Sequence, residues 1–172
     1  MITEAYRRLN ETMHAQKPTY GSGGYKWAPA VFGACGQYKT TDVLDYGCGK
    51  ATLNLHLPFS VACFDPGVPK YSARPEPHDI VVCCDVLEHV EDEYIDDVLD
   101  DLTHLTRIIC LMNIGLAEAN KTLPDGRNAH ISVHPENWWR EKIESRFHIS
   151  DTHIHGDDDG TYEAVSYVLL SS

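Results

Sequence analysis

The sequence lacks the features of a membrane or an exported protein. Although 42% of its 172 residues are hydrophobic, no stretch approaches the roughly 18 consecutive apolar residues that a membrane span requires. The first eight residues mix acidic and basic side chains and contain no apolar signal core. We therefore expect a cytoplasmic protein with no membrane partner, and the length suits a single domain.

Basic residues are also scarce. The chain has 14 Lys and Arg against 26 Asp and Glu, which gives a formal net charge of −12. A chain this acidic repels a phosphate backbone at long range, and its Lys and Arg do not cluster into a patch that would override the repulsion. Direct binding to nucleic acid is therefore disfavoured.

The six cysteines contain no CxxC pair. Most of them fall inside apolar runs, where a thiol behaves as a small buried hydrophobe. The pattern therefore favours reduced, buried thiols over a disulfide framework or a zinc knot.

Apolar periodicity predicts an α/β fold with a mostly parallel sheet and a C-terminal antiparallel hairpin. A helix over 2–15 has its apolar stripe at Ile2, Ala5, Leu9 and Met13, and a second helix runs through 27–38. Residues 1–40 would supply these helices and a glycine-rich lid loop, and 41–172 the core. Predicted strands cover 41–47, 60–65, 79–85, 107–115, 149–155 and 164–170, and predicted core helices cover 51–57, 91–106 and 135–147.

A proline-rich stretch separates the second and third strands. Pro66, Pro69, Pro75 and Pro77 rule out a regular crossover helix between Asp65 and Asp79. We therefore expect an extended loop there, with one strand and helix unit missing after Asp65.

A tight glycine turn follows the first strand, in the segment Asp45-Tyr46-Gly47-Cys48-Gly49. A strand, a glycine turn and a helix, with an acidic residue (Asp65) ending the next strand, form a pattern typical of nucleotide sites. The turn is not the G-x-G-x-x-G of dinucleotide enzymes. An acidic residue two positions before the first glycine suits a ligand with positive charge rather than a pyrophosphate.

These segments resemble the class I S-adenosylmethionine-dependent methyltransferases. The resemblance covers roughly residues 40–170 and rests on VLDYGCGKATL at 43–53, CFDPG at 63–67 and DIVVCCDVLEHVED at 79–92. It implies a Rossmann-like fold and S-adenosylmethionine or S-adenosylhomocysteine as the cofactor. It also implies cofactor-binding residues: Asp45, Gly47, Cys48 and Gly49 at the methionine end, Asp65 at the ribose, and Asp85, Val86 and Leu87 near the methyl group.

Candidate catalytic residues follow the third and fourth strands. Glu88 and His89 come directly after the third strand, at the sheet edge where active sites lie, and His130 falls in the polar loop after the fourth strand. His89 or His130 would remove the acceptor's proton. The alternative is that Glu88 and His89 simply begin the acidic helix, and that His130 belongs to an ordinary surface loop.

Arg127, Asn128 and Tyr20 are further candidates, for contacts with the substrate. Arg127 and Asn128 neighbour His130, and Arg127 would suit a carboxylate or phosphate group. Tyr20 and Tyr25 flank a glycine-rich turn and would close over the cofactor as a lid; the alternative is a plain loop between two helices.

A metal site is a further alternative. Asp85, Glu88, His89 and His130 resemble the ligand set of small-RNA 3′-terminal methyltransferases, in which a divalent ion binds the acceptor's hydroxyls. However, the VLEH segment is common where no metal is used, and Asp85 replaces a glutamate. We therefore expect no metal.

The function that the resemblance implies is methyl transfer to oxygen or nitrogen of a small-molecule acceptor. One alternative is a methyltransferase that modifies a nucleotide or nucleic acid, although no Asn- or Asp-Pro-Pro-Tyr segment is present. Another is a catalytically degenerate module that binds a cofactor or a partner. The sequence leaves the acceptor and the oligomeric state open.

Overall fold

The computed structural model describes residues 2–156 and 162–171, in which six strands form one mixed sheet. The strands are β1 (Val43–Tyr46), β2 (Ala62–Phe64), β3 (His78–Cys84), β4 (Thr106–Gly115), β5 (His148–Gly156) and β6 (Tyr162–Leu170). Their order across the sheet is β2-β1-β3-β4-β6-β5. The first four run parallel, whereas β6 is antiparallel to both β4 and β5. The predicted α/β class and terminal hairpin are confirmed, and residues 157–161 of the hairpin's turn lie outside the described residues.

β2 is an edge strand, and no described strand continues the sheet beyond it. Between β2 and β3 the chain contains only a short 3-10 helix, Pro69–Tyr71, and otherwise runs as a loop. The prediction of a missing strand and helix unit after Asp65 is therefore confirmed. The loop is fastened to the opposite helix by Arg74, whose guanidinium contacts the buried carboxylate of Asp101.

The described residues contain four α-helices: α1 (Glu4–Gln16), α2 (Ala28–Tyr38), α3 (Ile95–Leu105) and α4 (Glu136–Glu144). One buried apolar cluster joins α3 and α4 to one face of the sheet, and a second joins α2 to the other face. Apolar strands such as β3 are covered on both faces, as parallel strands require.

The predicted apolar face of α1 is confirmed at Met13, with Ile2 and Leu9 partly buried beside it, but is wrong at Ala5. The apolar stripe placed Ala5 inside, but Ala5 is exposed, and the buried residues are Tyr6, Asn10 and Met13. Polar and aromatic side chains face inward because α1 forms part of the wall of a cavity at the sheet edge.

The α-helix predicted over 51–57 is also wrong. The segment contains turns and one 3-10 helix, Asn54–His56. Ala51 has a φ of 54°, a left-handed conformation that no α-helix accommodates. The Thr52 hydroxyl donates to the carbonyl of Ser22 and accepts from the main-chain N–H of Tyr25, so contacts with the glycine-rich loop fix this segment instead.

Two other expectations concern burial. Four of the six cysteines are buried, and all six are free thiols, as predicted. Among the described residues, no helix has the length and apolar composition needed to cross a bilayer.

Candidate active site

The candidate site lies at the carboxyl ends of the neighbouring strands β1 and β3. The chain leaves β1 toward β2 and leaves β3 toward β4, on opposite sides of this point. Such an edge forms a crevice in open α/β sheets. Two glycines let the chain turn there: Gly47 (φ 78°) and Gly49 (φ 51°) both lie in the left-handed region. A Cβ on Gly47 would come within 2.3 Å of the Val86 side chain, and a Cβ on Gly49 within 2.4 Å of the Gly21 carbonyl oxygen. Both positions therefore require glycine for conformation and for space.

Asp45 lies near the carboxyl end of β1, and its carboxylate is incompletely hydrogen-bonded. The side chain is buried, and its Oδ2 has no hydrogen-bond partner. Burial, with the neighbouring Cys63 and Asp65, raises the pKa of Asp45 to about 8. Asp45 and Asp85 both line a small pocket of about 50 Å³ beneath the glycine-rich loop, so two acidic groups converge on a space that suits a small cation.

Asp65 follows β2 and holds the neighbouring turns. Its Oδ2 accepts the main-chain N–H of Gly49 at 2.9 Å, and its Oδ1 accepts that of Gly67 at 2.8 Å. Each carboxylate oxygen has a second lone pair. Asp65 therefore supports the glycine turn and can still accept a ligand hydroxyl.

A cavity of about 770 Å³ extends from this edge, and its volume lies within the range of ordinary ligand sites. Sequence reasoning missed its α1 wall. Tyr6, Asn10 and His14 line the cavity from successive turns of α1. Their spacing of four residues was the available signal, because it places polar and aromatic groups on one helical face.

Tyr20 lies in the same wall. Its hydroxyl donates to Oδ1 of Asn10 at 2.7 Å, and its ring contacts those of His14 and His89. Tyr25 also borders the cavity, but it is half exposed and packs on His56. The structure therefore places both lid candidates at the cavity; closure of the lid stays a prediction.

Glu88, His89 and His130 lie close together: the two histidines line the cavity, and Glu88 is buried beside them. One potential ligand atom from each lies within 4.8 Å of the other two. Nδ1 of His89 lies 2.7 Å from the Ala129 carbonyl oxygen, and Nδ1 of His130 lies 2.6 Å from that of Ala117. A carbonyl oxygen only accepts, so in both rings Nδ1 carries the hydrogen and Nε2 keeps a free lone pair.

Burial governs the charge of this cluster. It raises the pKa of the Glu88 carboxyl and lowers that of His89 to about 4, because desolvation disfavours either charged form. Oε1 of Glu88 accepts the Gly115 N–H at 2.9 Å, whereas its buried Oε2 has no partner. His89 is therefore neutral at physiological pH.

The structure separates the residues expected near the methyl group. Asp85 and Val86 line the cavity, and Asp85 holds a left-handed φ of 58°. The Leu87 side chain instead lies fully buried in the core, against the expectation that it binds the cofactor. In the 3-10 turn that follows β3, Leu87 faces the sheet while Val86 and His89 face the cavity.

Arg127 and Asn128 do not line the cavity, contrary to their predicted role as substrate contacts. The Arg127 guanidinium is half exposed and pairs with Asp125. Asn128 serves the loop itself: its Oδ1 accepts the main-chain N–H groups of Ala119 and His130, and its Nδ2 donates to the Ala119 carbonyl. The loop does reach the predicted edge of the sheet, but it presents His130 there.

Comparison with solved structures identifies the fold. No family profile matches the sequence, and neither does any curated protein sequence. A 1,6-didemethyltoxoflavin-N1-methyltransferase from Burkholderia thailandensis, with substrate and S-adenosylhomocysteine bound, is similar at a TM-score of 0.65 and 13% identity, over 98% of this chain and 88% of that one. Magnesium protoporphyrin IX methyltransferase from Synechocystis PCC 6803, with S-adenosylhomocysteine bound, is similar at a TM-score of 0.58 and 18% identity. The match covers 87% of this chain and 84% of that one.

A third similar structure is the N-methyltransferase NodS from Bradyrhizobium japonicum WM9, in complex with S-adenosylhomocysteine. It gives a TM-score of 0.62 and 10% identity, over 96% of this chain and 98% of that one. The chain therefore has the Rossmann-like class I methyltransferase fold, as the sequence predicts. At such low identity the likeness establishes the fold and leaves the acceptor open.

Proposed function

We propose that this chain transfers a methyl group from S-adenosylmethionine to an oxygen or nitrogen atom of a small-molecule acceptor. The observation that carries the proposal is the buried, unpartnered Oδ2 of Asp45 beside the glycine turn of a methyltransferase fold. A buried carboxylate oxygen without a donor is costly. The ammonium group at the methionine end of the cofactor would supply that donor.

The remaining residues fit the cofactor along the same edge. The turn at Gly47 and Gly49 would lie against its methionine end, where a narrow cradle admits a close approach of the ligand. Asp65 would accept its ribose hydroxyls with the lone pairs that Gly49 and Gly67 leave free. Pro66 and Gly67 border the cavity where the missing strand and helix unit would otherwise stand. The adenine of a bound cofactor would therefore be less enclosed on this side.

The cofactor supplies an activated methyl group on a sulfonium centre. With the cofactor bound, the acceptor's lone pair would bond to the methyl carbon as the carbon–sulfur bond breaks, and the electron pair would stay on sulfur. The chain contributes mainly alignment of the two reactants. We assign removal of the acceptor's proton to His89 or His130, which line the cavity, with Glu88 buried beside them.

Two features support a small acceptor. The cavity of about 770 Å³ holds a compact ligand, and a net charge of −12 opposes the approach of a polyanion. The similar structures from Burkholderia and Synechocystis are described as methyltransferases of 1,6-didemethyltoxoflavin and magnesium protoporphyrin IX, which are both small molecules.

Calorimetric titration with S-adenosylhomocysteine tests the cofactor site. We expect saturable binding to the native chain and at least tenfold weaker binding to Asp45→Asn, which keeps the size of the side chain and removes its charge. Asp97→Asn is the matched control, because it makes the same change on the exposed face of α3. Absence of binding to the native chain would refute the proposal.

The acceptor class needs a separate measurement. The chain is incubated with cofactor carrying a labelled methyl group and with a cell extract, and the mixture is then dialysed. Label in the dialysable fraction is the expected result. Label retained on nucleic acid or protein would contradict a small acceptor.

A further inference from the structure

We propose that Glu88, His89 and His130 bind one divalent transition-metal ion on the wall of the cavity. The sequence led us to expect no metal, and the geometry of these side chains is the reason for the change. Binding of the ion stands independently of the proposed function, whereas its role in catalysis rests on that function.

The three groups are close enough to share an ion. Their candidate ligand atoms lie within 4.8 Å of one another. Nitrogen and oxygen ligands bind such an ion at about 2.0–2.2 Å, so two ligands of one ion are separated by at most about 4.4 Å. Small rotations of the side chains therefore suffice to complete the site.

Both imidazoles are prepared to ligate through Nε2. The carbonyl oxygens of Ala129 and Ala117 accept the Nδ1 hydrogens of His89 and His130, at 2.7 and 2.6 Å. A metal-bound histidine usually donates the hydrogen of its other ring nitrogen to an oxygen atom, which fixes the tautomer and the ring orientation. Two neighbouring histidines share this arrangement, and each places a ring nitrogen within 4.8 Å of a carboxylate oxygen of Glu88.

Glu88 provides the independent second observation. Its side chain is buried, with 1% exposed, and the Oε2 atom has no hydrogen-bond partner. Gly115 donates its N–H only to Oε1. A buried carboxylate oxygen left without a donor is costly, and a cation bridging it to two imidazoles removes that cost.

Asp85 stands apart from this cluster, so the ligand set has three members rather than the four of the sequence-based alternative. The Asp85 Oδ2 lies instead near Gly23, 3.6 Å from the position of a Cβ there. Two imidazoles and one carboxylate favour Mn²⁺, Fe²⁺, Co²⁺ or Zn²⁺ over Mg²⁺ and Ca²⁺, which prefer oxygen ligands. Three protein ligands leave coordination positions open toward the cavity.

An ion at this position narrows the class of acceptor. A divalent ion lowers the pKa of a hydroxyl group that it coordinates. With the ion bound, the three side chains would serve as its ligands rather than as the base, and the hydroxyl proton would pass to solvent. The oxygen would then bond to the methyl carbon as the carbon–sulfur bond breaks. An amine coordinated in the same way would have its attacking lone pair occupied by the ion. The metal site therefore favours a hydroxyl-bearing acceptor.

Equilibrium dialysis of the full chain against Mn²⁺ tests the site. The protein carries no affinity histidine tag and is first stripped with a chelator. We expect one ion per chain, and Co²⁺ in its place should give visible absorption that shows nitrogen ligation. No saturable binding of either ion would overturn the proposal.

Variants locate the site. Glu88→Gln preserves the acceptor for the Gly115 N–H and removes the charge, and His130→Gln removes an imidazole; each should weaken Mn²⁺ binding at least tenfold. His104→Gln is the matched control, because His104 is exposed on α3 and also bonds a carbonyl oxygen. His153→Gln tests the exposed pair His153 and His155 on β5. Binding lost in His153→Gln but kept in Glu88→Gln would overturn the proposal.

Gly115 offers a variant that changes no ligand. A Cβ there would lie 2.9 Å from Oε1 of Glu88 and 2.9 Å from Cε1 of His130. Gly115→Ala should therefore push both ligands aside and weaken Mn²⁺ binding. Gly33→Ala in α2, where a Cβ meets nothing within 4 Å, is the control.

Titration of the stripped protein with S-adenosylhomocysteine separates the two proposals. Cofactor binding without metal binding leaves the proposed function standing and overturns the metal site. Metal binding that depends on Glu88 and His130 supports the metal site, whether or not the cofactor binds.

Discussion

His89 and His130 lie edge to face, with ring centroids 4.9 Å apart, and each is fixed by a carbonyl of the segment that follows β4. Ala117 accepts from one ring and Ala129 from the other, so this single loop sets the direction of both Nε2 lone pairs. The chemistry of the cavity thus depends on a loop that contains none of the conspicuous sequence motifs.

The raised pKa of Asp45 predicts that cofactor binding releases a proton. Below its pKa of about 8 the buried carboxyl of the free chain is largely protonated, whereas an ammonium partner requires the carboxylate. Affinity for S-adenosylhomocysteine should therefore rise with pH up to about 8 and then level off. At pH 7 the calorimetric enthalpy should differ between phosphate and Tris, which differ in ionisation enthalpy.

Asp45→Asn is the control for this titration. The variant should bind more weakly, and the buffer dependence of its enthalpy should be smaller, because other groups alone remain to exchange protons. A native enthalpy that is the same in both buffers would contradict the assignment of Asp45 to the ammonium.

The same group makes the free chain less stable in alkali. In the unfolded chain its pKa is about 3.9, so the folded state binds the extra proton between about pH 4 and 8. The stability that this proton contributes is fully present below pH 4 and is lost as pH rises through 8. Urea unfolding at pH 6 and pH 9 should therefore show Asp45→Asn gaining stability relative to the native chain at the higher pH. A difference independent of pH would count against the raised pKa.

Gly47 and Val86 should be energetically coupled. Gly47→Ala meets both a left-handed φ and the Val86 methyl groups, so we expect a loss of about 2–4 kcal/mol from conformational strain and overpacking. In the Gly47→Ala/Val86→Ala double variant the overpacking part should disappear, which a double-mutant cycle by urea unfolding measures.

Gly49 supplies the contrast. A Cβ on Gly49 would collide with the main-chain oxygen of Gly21, which no side-chain change removes. Val86→Ala should therefore leave the loss of stability in Gly49→Ala unchanged. Strict additivity of Gly47→Ala and Val86→Ala would show that the contact is relieved in some other way.

Arg74 should stabilise the fold through Asp101. Asp101 is buried and also accepts the Tyr46 hydroxyl at 3.1 Å, so Arg74→Met leaves a buried carboxylate with one donor fewer. Because Arg74 is largely exposed, we expect a modest loss of about 1–2 kcal/mol in urea unfolding. Arg107→Met is the matched control, since it breaks the more exposed pair with Asp42 and should cost less than about 1 kcal/mol. Equal losses in both variants would remove the special role of Arg74.

The sequence predicts most of the sheet because its strands are long apolar runs. β3 and β4 are recognisable from residues such as Ile80, Val81 and Ile109, which are buried on either face. The four prolines after Asp65 likewise predict the missing unit, because their effect on the backbone is local. Local preferences of this kind do not depend on tertiary contacts, so they can be read from the sequence.

The errors arise where tertiary contacts override local pattern. The segment after Ala51 has helical periodicity, but the Thr52 hydroxyl donates to the glycine-rich loop and the Asn54 amide oxygen accepts the Val61 N–H, and no periodicity reveals such contacts. Tyr6 and Asn10 escaped notice because an apolar stripe was taken as the buried face of α1. The buried face of a helix is usually its apolar face, but in a cavity wall the buried side chains can be polar.

The residues of the candidate site likewise divide into those that a local motif identifies and those that only tertiary contacts bring together. Asp45, Gly47 and Asp65 are identified by a motif whose residues are close in sequence. His89 and His130 are separated by 40 residues, and their meeting depends on the path of the loop after β4. Arg127 and Asn128 were taken as substrate contacts because they neighbour His130 in sequence, but in the fold Arg127 pairs with Asp125 beside the Tyr6 ring and Asn128 bonds to its own loop.

Asn128 should act as a positioning residue for His130. Its three hydrogen bonds join the two ends of the loop, at Ala119 and at the His130 N–H. Asn128→Ala should lower the free energy of unfolding by about 1–3 kcal/mol and weaken Mn²⁺ binding, because His130 loses its fixed direction. Arg127→Ala is the neighbouring control; its guanidinium pairs with Asp125 and lies over the Tyr6 ring, so the change should cost about 1 kcal/mol of stability and leave Mn²⁺ binding almost unaltered. Affinity for S-adenosylhomocysteine distinguishes positioning from general loosening. The glycine turn at 47–49 has no hydrogen bond to Asn128, so cofactor affinity should stay within about twofold of the native value in Asn128→Ala while metal affinity falls. Parallel loss of both affinities would show that Asn128 acts on the stability of the whole edge rather than on His130.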